Sequence, residues 1–360
     1  MSDTSTTRML DMYMEDASAP GFLSTFFRTP PKNFHRSEKV EIDVLRGEPR
    51  LAIPVPSVSS DPRRHESSKY VNKGFTPPVY DLQASLSAFS GLKRRPGRDP
   101  FEDPDFLADV AEEAMREARE LEMMIRRSVE YQCARVFQAG AFTLVDETGA
   151  TIYTIDFEAK TTHLATVGTT WALDGLTGAP LDDLAALAAV VRRDGKKNPD
   201  TLIFGTSAAQ RFLANTQVRA QLDNRRMEIG LIQPAARAGA TSMGFIWIGQ
   251  YRFELWTYDD EYIDPVTGNS TPYIDTDNVV MLSSGGRLDL TFGELPMFAP
   301  PEARAAQILP PRMSSPALGL DLSTNAWVSP DGKHLHFSCG TRALAIPTAI
   351  DTFARLNVTT

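Results

Sequence analysis

Several groups of residues in this 360-residue sequence have the types and spacing that chemistry requires. His334 and His336 are two apart in an alternating segment, so both rings would lie on one face of a strand, where they could share a metal ion. No cysteine or carboxylate cluster adjoins them, and a solvent-facing strand accounts for both. Asp259, Asp260, Glu261 and Asp264 form the densest acidic group, a composition suited to general acid–base work or calcium. They lack the spacing of a calcium loop and read instead as a solvated turn. Cys133 and Cys339, far apart in sequence, read as reduced packing residues rather than a disulfide or a zinc site. The segments around Gly205 and Gly285 fit turns better than phosphate cradles. A Walker-type phosphate loop, a dinucleotide fingerprint, a nucleophile elbow and an HExxH pair are all missing from the sequence. Together these readings disfavour an enzyme, and no metal or cofactor is expected.

Composition narrows the classes further. With 42% apolar residues the chain can bury a large core, as two domains or one elaborated domain. No apolar run approaches the roughly 20 residues that span a bilayer, and residues 1–16 are polar and acidic with no signal-peptide core, so a cytosolic protein is expected. A formal charge of −9 argues against wrapping nucleic acid with a basic surface. It would suit a wall that encloses DNA without sticking to it.

The elements available to position anything begin with one long helix over residues 103–140. Asp103 can accept hydrogen bonds from free backbone N–H groups, Pro104 presets φ in the first turn, and Gly140 marks the stop. Apolar and small residues recur at helical spacing through Leu107, Ala111, Ala114, Ala118, Leu121 and Ile125, then shift to Val129, Cys133, Val136 and Phe137. The other face is dense in Glu and Arg. Before the helix, Val40, Ile42 and Val44 alternate with acids as a strand, and residues 51–55 repeat this briefly. Residues 57–74 form a polar tip with Arg63, Arg64, His65, Lys69 and Lys73, and a return leg runs from Phe75 to about Phe89. Such an arm is marginal alone and needs a partner surface. The cluster Phe22, Leu23, Phe26 and Phe27 can dock the N-terminal region. After the helix come a hairpin over 141–157 and, from about Pro180, an α/β unit: a helix stopped by Gly195, a strand at 201–204, and a helix opened by Thr206. A hairpin over 245–256 and strands at 278–282 and 287–292 follow. Residues 295–316 read as a Pro-rich loop, and three short strands lie around Leu335, Leu344 and Phe353.

In this order the parts resemble the lambda-type major capsid proteins of tailed bacteriophages, the phage capsid protein E family. The likeness is carried by Phe26-Phe27-Arg28, Glu38-Lys39-Val40, Gly47, Phe75-Thr76-Pro77-Pro78, and the Asp99-Pro100 and Asp103-Pro104 entry to a Glu/Arg-rich helix. Trp171, the 198–205 strand, the 249–258 hairpin and Trp327 continue it. The closing segment departs from the family pattern: Gly340-Thr341-Arg342-Ala343-Leu344 precedes Ile346-Pro347 where a Ser-x-Pro-Leu run is usual.

The resemblance implies an α+β fold: an N-terminal arm (1–38), an extended β-loop (39–95), a long spine helix with the first part of a peripheral domain (96–179), an axial domain (180–292) and the rest of the peripheral domain (293–360). It implies a virion protein that assembles with itself into hexamers and pentamers of an icosahedral shell in the host bacterial cytoplasm. Portal, scaffolding and decoration proteins are the implied partners, and DNA is enclosed without sequence-specific binding. Phe75, Val79, Tyr80 and Leu82 are then interface anchors on a neighbouring subunit, and Arg63, Arg64 and Lys69 would meet its acidic surface. Two alternatives stand beside this: an encapsulin-like nanocompartment shell and, less favoured, a cytosolic hydrolase.

Overall fold

The computed structural model describes residues 21–30, 33–35, 39–45, 70–87, 106–146, 148–223, 227–228, 236–295 and 322–360. Along the chain, a short 3-10 turn at Leu23–Phe26 precedes strands β1 (Phe34–His35), β2 (Val40–Leu45), β3 (Tyr70–Phe75) and β4 (Tyr80–Ser87). Helix α1 (Phe106–Ala139) follows, then β5 (Ala141–Val145), β6 (Thr151–Asp156) and β7 (Leu164–Thr166). Next come α2 (Pro180–Gly195), β8 (Thr201–Phe204), α3 (Thr206–Ala214) and α4 (Thr216–Asp223). The remaining strands are β9 (Met227–Glu228), β10 (Ala236–Arg237), β11 (Ala240–Ile248), β12 (Tyr251–Tyr258), β13 (Glu261–Ile263), β14 (Ser270–Pro272), β15 (Asn278–Leu282), β16 (Asp289–Gly293), β17 (Ser323–Val328), β18 (His334–Thr341), β19 (Ala343–Ile346) and β20 (Phe353–Asn357).

The long helix has 34 described residues, about 50 Å at 1.5 Å per residue. Its expected N-cap at Asp103 and Pro104 lies outside the described residues. Its stop is as expected: Gly140 takes φ +63° and its N–H donates to the Val136 carbonyl at 2.9 Å. The shift in the apolar register of α1 has a physical cause, because the helix serves two cores. Ala114, Leu121 and Ile125 pack with Leu86, Leu335, Phe337 and Cys339. About two turns later Cys133, Ala134, Val136 and Phe137 enter a larger core with Phe22, Leu23, Phe27, Trp256, Tyr258 and Phe353. The outer face, expected to be dense in Glu and Arg, carries the Glu113–Arg116 and Glu122–Arg126 ion pairs. Cys133 and Cys339 are buried in separate cores and form no disulfide with each other, as the sequence suggests.

The α/β unit is built on an eight-stranded sheet ordered β10-β11-β12-β8-β15-β20-β7, with β9 also paired to β11. Helices α2, α3 and α4 cover one face through Leu184, Val191, Phe212 and Val218, packed on Leu202, Phe204, Ile246, Phe253 and Met281. Strands β7 and β20 come from outside residues 180–292. Strand β16 leaves the unit to pair with β1 and β19. The helix stop near Gly195 differs from expectation. Gly195 is the last helical residue and Lys196 takes the left-handed conformation, φ 55° and ψ 18°. Gly195 is needed for a different reason: a Cβ there would meet the Asp351 carbonyl oxygen at 2.3 Å.

Candidate assembly surfaces

Where the extended loop is expected, β2 and β3 pair antiparallel, in register from Val40↔Phe75 to Leu45↔Tyr70. Its base is fixed in the first core: Val40 is buried and the Phe75 ring lies 5.1 Å from Phe157. Strand β4, expected to be part of the same projecting arm, is instead held inside the chain. It pairs antiparallel with β18 from Tyr80↔Thr341 to Ser87↔His334 and completes a sheet with β17. The Tyr80 hydroxyl accepts a 2.8 Å hydrogen bond from Gln132 of α1, and Leu82 packs on the α1 core. Burial pushes the Tyr80 phenol well above its usual range. Phe75, Tyr80 and Leu82 thus pack inside their own subunit, and among the four expected anchors Val79 is the exposed one. Arg63, Arg64 and Lys69 lie outside the described residues.

The N-terminal anchor is held by a charged group of α1 that sequence reasoning did not single out. Glu130 is fully buried in α1, and its Oε1 accepts the Leu23 N–H at 2.6 Å and the Tyr258 O–H at 3.1 Å. Its Oε2 accepts the Ser24 N–H at 3.0 Å. One carboxylate therefore ties together the Leu23–Phe26 turn, the long helix and β12. Desolvation raises its pKa, against the pull of those donors. A second unforeseen cluster joins α2 to β20. Lys160 Nζ lies 3.1 Å from Asp194 Oδ2 and 3.2 Å from Asp351, while the buried His163 ring sits 3.4 Å from Asp194 and 2.8 Å from the Phe353 carbonyl. Hydrogen bonds from Arg193, Lys160 and His163 hold Asp194 well below the carboxylate range despite partial desolvation. Neither cluster has a short-range sequence signal, because the partners are remote along the chain.

The residues with the spacing for chemistry are occupied structurally. His334 and His336 have ring centroids 6.1 Å apart, His336 stacks on Trp327 at 5.5 Å, and its Nδ1 lies 3.4 Å from Gln83. Asp264 shapes the β13–β14 turn by accepting from the Val266 N–H and the Thr267 hydroxyl, which lower its pKa. Asp260 is raised by burial and by Asp259. At Gly205 the Asp275 and Thr276 carbonyl oxygens crowd the Cβ position at 2.4 and 2.6 Å, which is unfavourable for a phosphate. Among the described residues no three His, Cys, Asp or Glu side chains are grouped to hold a metal ion, and no helix is long and apolar enough to cross a membrane.

The sequence profile of phage major capsid protein E matches residues 5–358, nearly the whole chain. The chain belongs to this family. No individually curated protein matches the sequence. Among solved structures, this capsid protein is similar to one described as the capsid protein of a prophage of Escherichia coli CFT073. The TM-score is 0.59 at 14% identity, over 80% of this chain and 79% of that one, a likeness of fold. It is also similar to the SrpI encapsulin of Synechococcus elongatus PCC 7942 (TM-score 0.48, 12% identity, 98% and 91% covered) and to a structure from Gordonia phage Cozz (TM-score 0.49, 10% identity, 97% and 90% covered). The family is one of structural proteins, not of enzymes, and its members form the multimeric shell of the virion.

Proposed function

We propose that this capsid protein builds the icosahedral head of a tailed double-stranded DNA phage from hexamers and pentamers, assembled in the host cytoplasm around scaffolding and portal proteins, with a decoration protein as a further partner. The observation that carries this is the family match over residues 5–358. Its mechanical logic follows from the fold. Helix α1 enters two cores and keeps one subunit shape. The β2–β3 hairpin is anchored at Val40 and Phe75 and offers two strand edges, so its outer part lies across a neighbour, where Arg63, Arg64 and Lys69 meet acidic surface and Val79 adds apolar contact. The α/β unit, broadly residues 180–292 with β7 and β20 added, faces the capsomer axis and closes rings; closed symmetry makes many modest contacts into one stable assembly. The remainder forms the peripheral domain. The formal charge of −9 keeps the wall from adhering to the enclosed DNA. Electron microscopy and sedimentation of the purified chain, alone and with its scaffolding partner, test this. Closed shells, tubes or rings of five and six are expected; monomers or dimers under both conditions would overturn it.

A further inference from the structure

Two apolar features of the α/β unit are left uncovered by its own cores. The first is on β11 and β12. Ile246, Ile248, Tyr251, Phe253 and Leu255 face the helices, whereas Phe245, Trp247, Arg252 and Glu254 alternate onto the opposite face. Near β8 and β15 that opposite face is buried in the first core through Ile203, Val280, Trp256 and Tyr258. Toward the β11–β12 turn Phe245, Trp247 and Arg252 lie outside the described cores. Trp247 is 52% exposed, stands opposite Arg252 across the strands, and the Arg252 guanidinium lies 4.2 Å from the Phe245 ring centroid. Trp, Phe and Arg gathered in this way are the residue types that carry binding energy at protein interfaces.

The second feature is the turn at residues 172–177, which displays Leu173 (59% exposed) and Leu176 (76% exposed) on either side of exposed Asp174. This turn is rigid. Ala172 N–H donates to the Thr177 carbonyl, Gly175 N–H to the Ala172 carbonyl, Thr216 N–H to the Gly175 carbonyl, and Leu176 N–H to Asp174 Oδ1. Gly175 and Gly178 have positive φ, and a Cβ on Gly175 would meet the Ala214 carbonyl oxygen at 2.0 Å. The two leucines are therefore held outward by the backbone, and little ordering remains to be done on binding.

The placement of the two features selects the partner. Strands β7, β20, β8 and β12 run in one direction, since β7 parallels β20, β12 parallels β8, and β15 is antiparallel to both β8 and β20. The 172–177 turn lies beyond the C-terminal end of β7, with Trp171 N–H bonded to the Val358 carbonyl just past β20. Trp247 and Arg252 lie at the N-terminal end of β12. The features thus sit at opposite ends of one sheet, where they cannot meet within a subunit but can meet head to tail between subunits. Their charges are complementary, Asp174 on one and Arg252 on the other. A head-to-tail contact repeated by rotation generates a ring.

We propose that the 172–177 turn of one copy seats Leu173 and Leu176 on the Phe245–Trp247–Arg252 face of a second copy, with Asp174 beside Arg252, as the ring-closing contact of the capsomer; this rests on the axial role given to the α/β unit above. The test is cross-linking in assemblies of the full chain carrying Leu176→Cys, Trp247→Cys or both, with a short bifunctional thiol reagent and denaturing electrophoresis. The native Cys133 and Cys339 are buried and stay silent. The double variant is expected to give a ladder of covalent oligomers ending at the ring size, while each single variant stays monomeric. Shells without a ladder would overturn the contact and leave the capsid reading intact, as would dimers from either single variant, which signal a two-fold contact instead. Unsubstituted chain that forms no rings or shells would remove both. A fold-independent check is charge exchange: Asp174→Arg should reduce assembly yield at least several-fold, and Arg252→Asp added to it should restore most of that loss. Failure of the exchange to restore assembly, with each variant still folded by circular dichroism, counts against the pairing.

Discussion

Glu130 shows how one side chain can carry a charge that its neighbours along the sequence misrepresent. It sits in a helix rich in exposed Glu and Arg, and only donors 106 and 107 residues away at Ser24 and Leu23, with Tyr258 beyond, reveal its burial. Removing it orphans two buried donors and a partly buried one, so Glu130→Ala should lower unfolding stability by about 3 kcal/mol, measured by urea denaturation. The pH dependence has an unusual sign. Burial raises the Glu130 pKa above its unfolded value, so the folded state holds the proton more tightly, and this group's contribution becomes more favourable as pH falls through the folded pKa towards the unfolded one. The stability of the native chain relative to Glu130→Gln should therefore increase between pH 7 and about 4.5, the ordinary carboxylate value. A difference that shrinks over that range would contradict the assignment. Asp194 is the opposite case. Its pKa is lowered by Arg193, then Lys160 and His163, so its contribution is present above the unfolded pKa and lost as pH falls through the folded one. Asp194→Asn should cost about 1 kcal/mol at pH 7 and less in acid, read from the same denaturation curves.

Among the elements, those with a strong period of their own were legible. The long helix, the 141–157 and 245–256 hairpins, the helix from Pro180 and the strand at 201–204 all form close to where residue patterns place them. The register shift after Ile125 was visible as a change in spacing, and its cause, two cores on one rod, needed the structure. Strands that depend on a distant partner were not legible. β7 has three residues, β1 has two, and β17 has one fully buried side chain to betray it. β4 read as the return of a projecting arm because its partner β18 lies some 250 residues onward, and nothing local distinguishes pairing with β18 from pairing with a neighbouring chain. The α2 terminus was misplaced by one residue, since glycine is the usual left-handed residue and here a lysine adopts that conformation. It follows that Lys196→Gly should raise stability by about 0.5 kcal/mol or more. Gly195→Ala, pressed against Asp351, should lower it by about 2 kcal/mol. Paired thermal melts of the two variants check both.

For the whole molecule, the order of parts was more informative than any single motif, because a shell protein has no reacting atoms to leave a spacing signature. Val79 and the basic residues Arg63, Arg64 and Lys69 remain assembly candidates because their roles belong to contacts between copies. Deleting residues 57–69, which leaves β2 and β3 intact, should yield folded subunits that sediment as small species and form few shells; normal shells from that deletion would remove the role of the loop tip. The sheet of the α/β unit carries one more consequence. β20, at residues 353–357, lies between β15 and β7, and the two neighbours it joins are separated from each other by more than a hundred residues. A nascent chain still short of Asn357 has a split sheet, with β7 and the turn after it detached from their frame. On the ring contact proposed above, a chain terminated before β20 would lack the frame that holds the 172–177 turn, so such chains would be excluded from the lattice by topology, without any separate proofreading step.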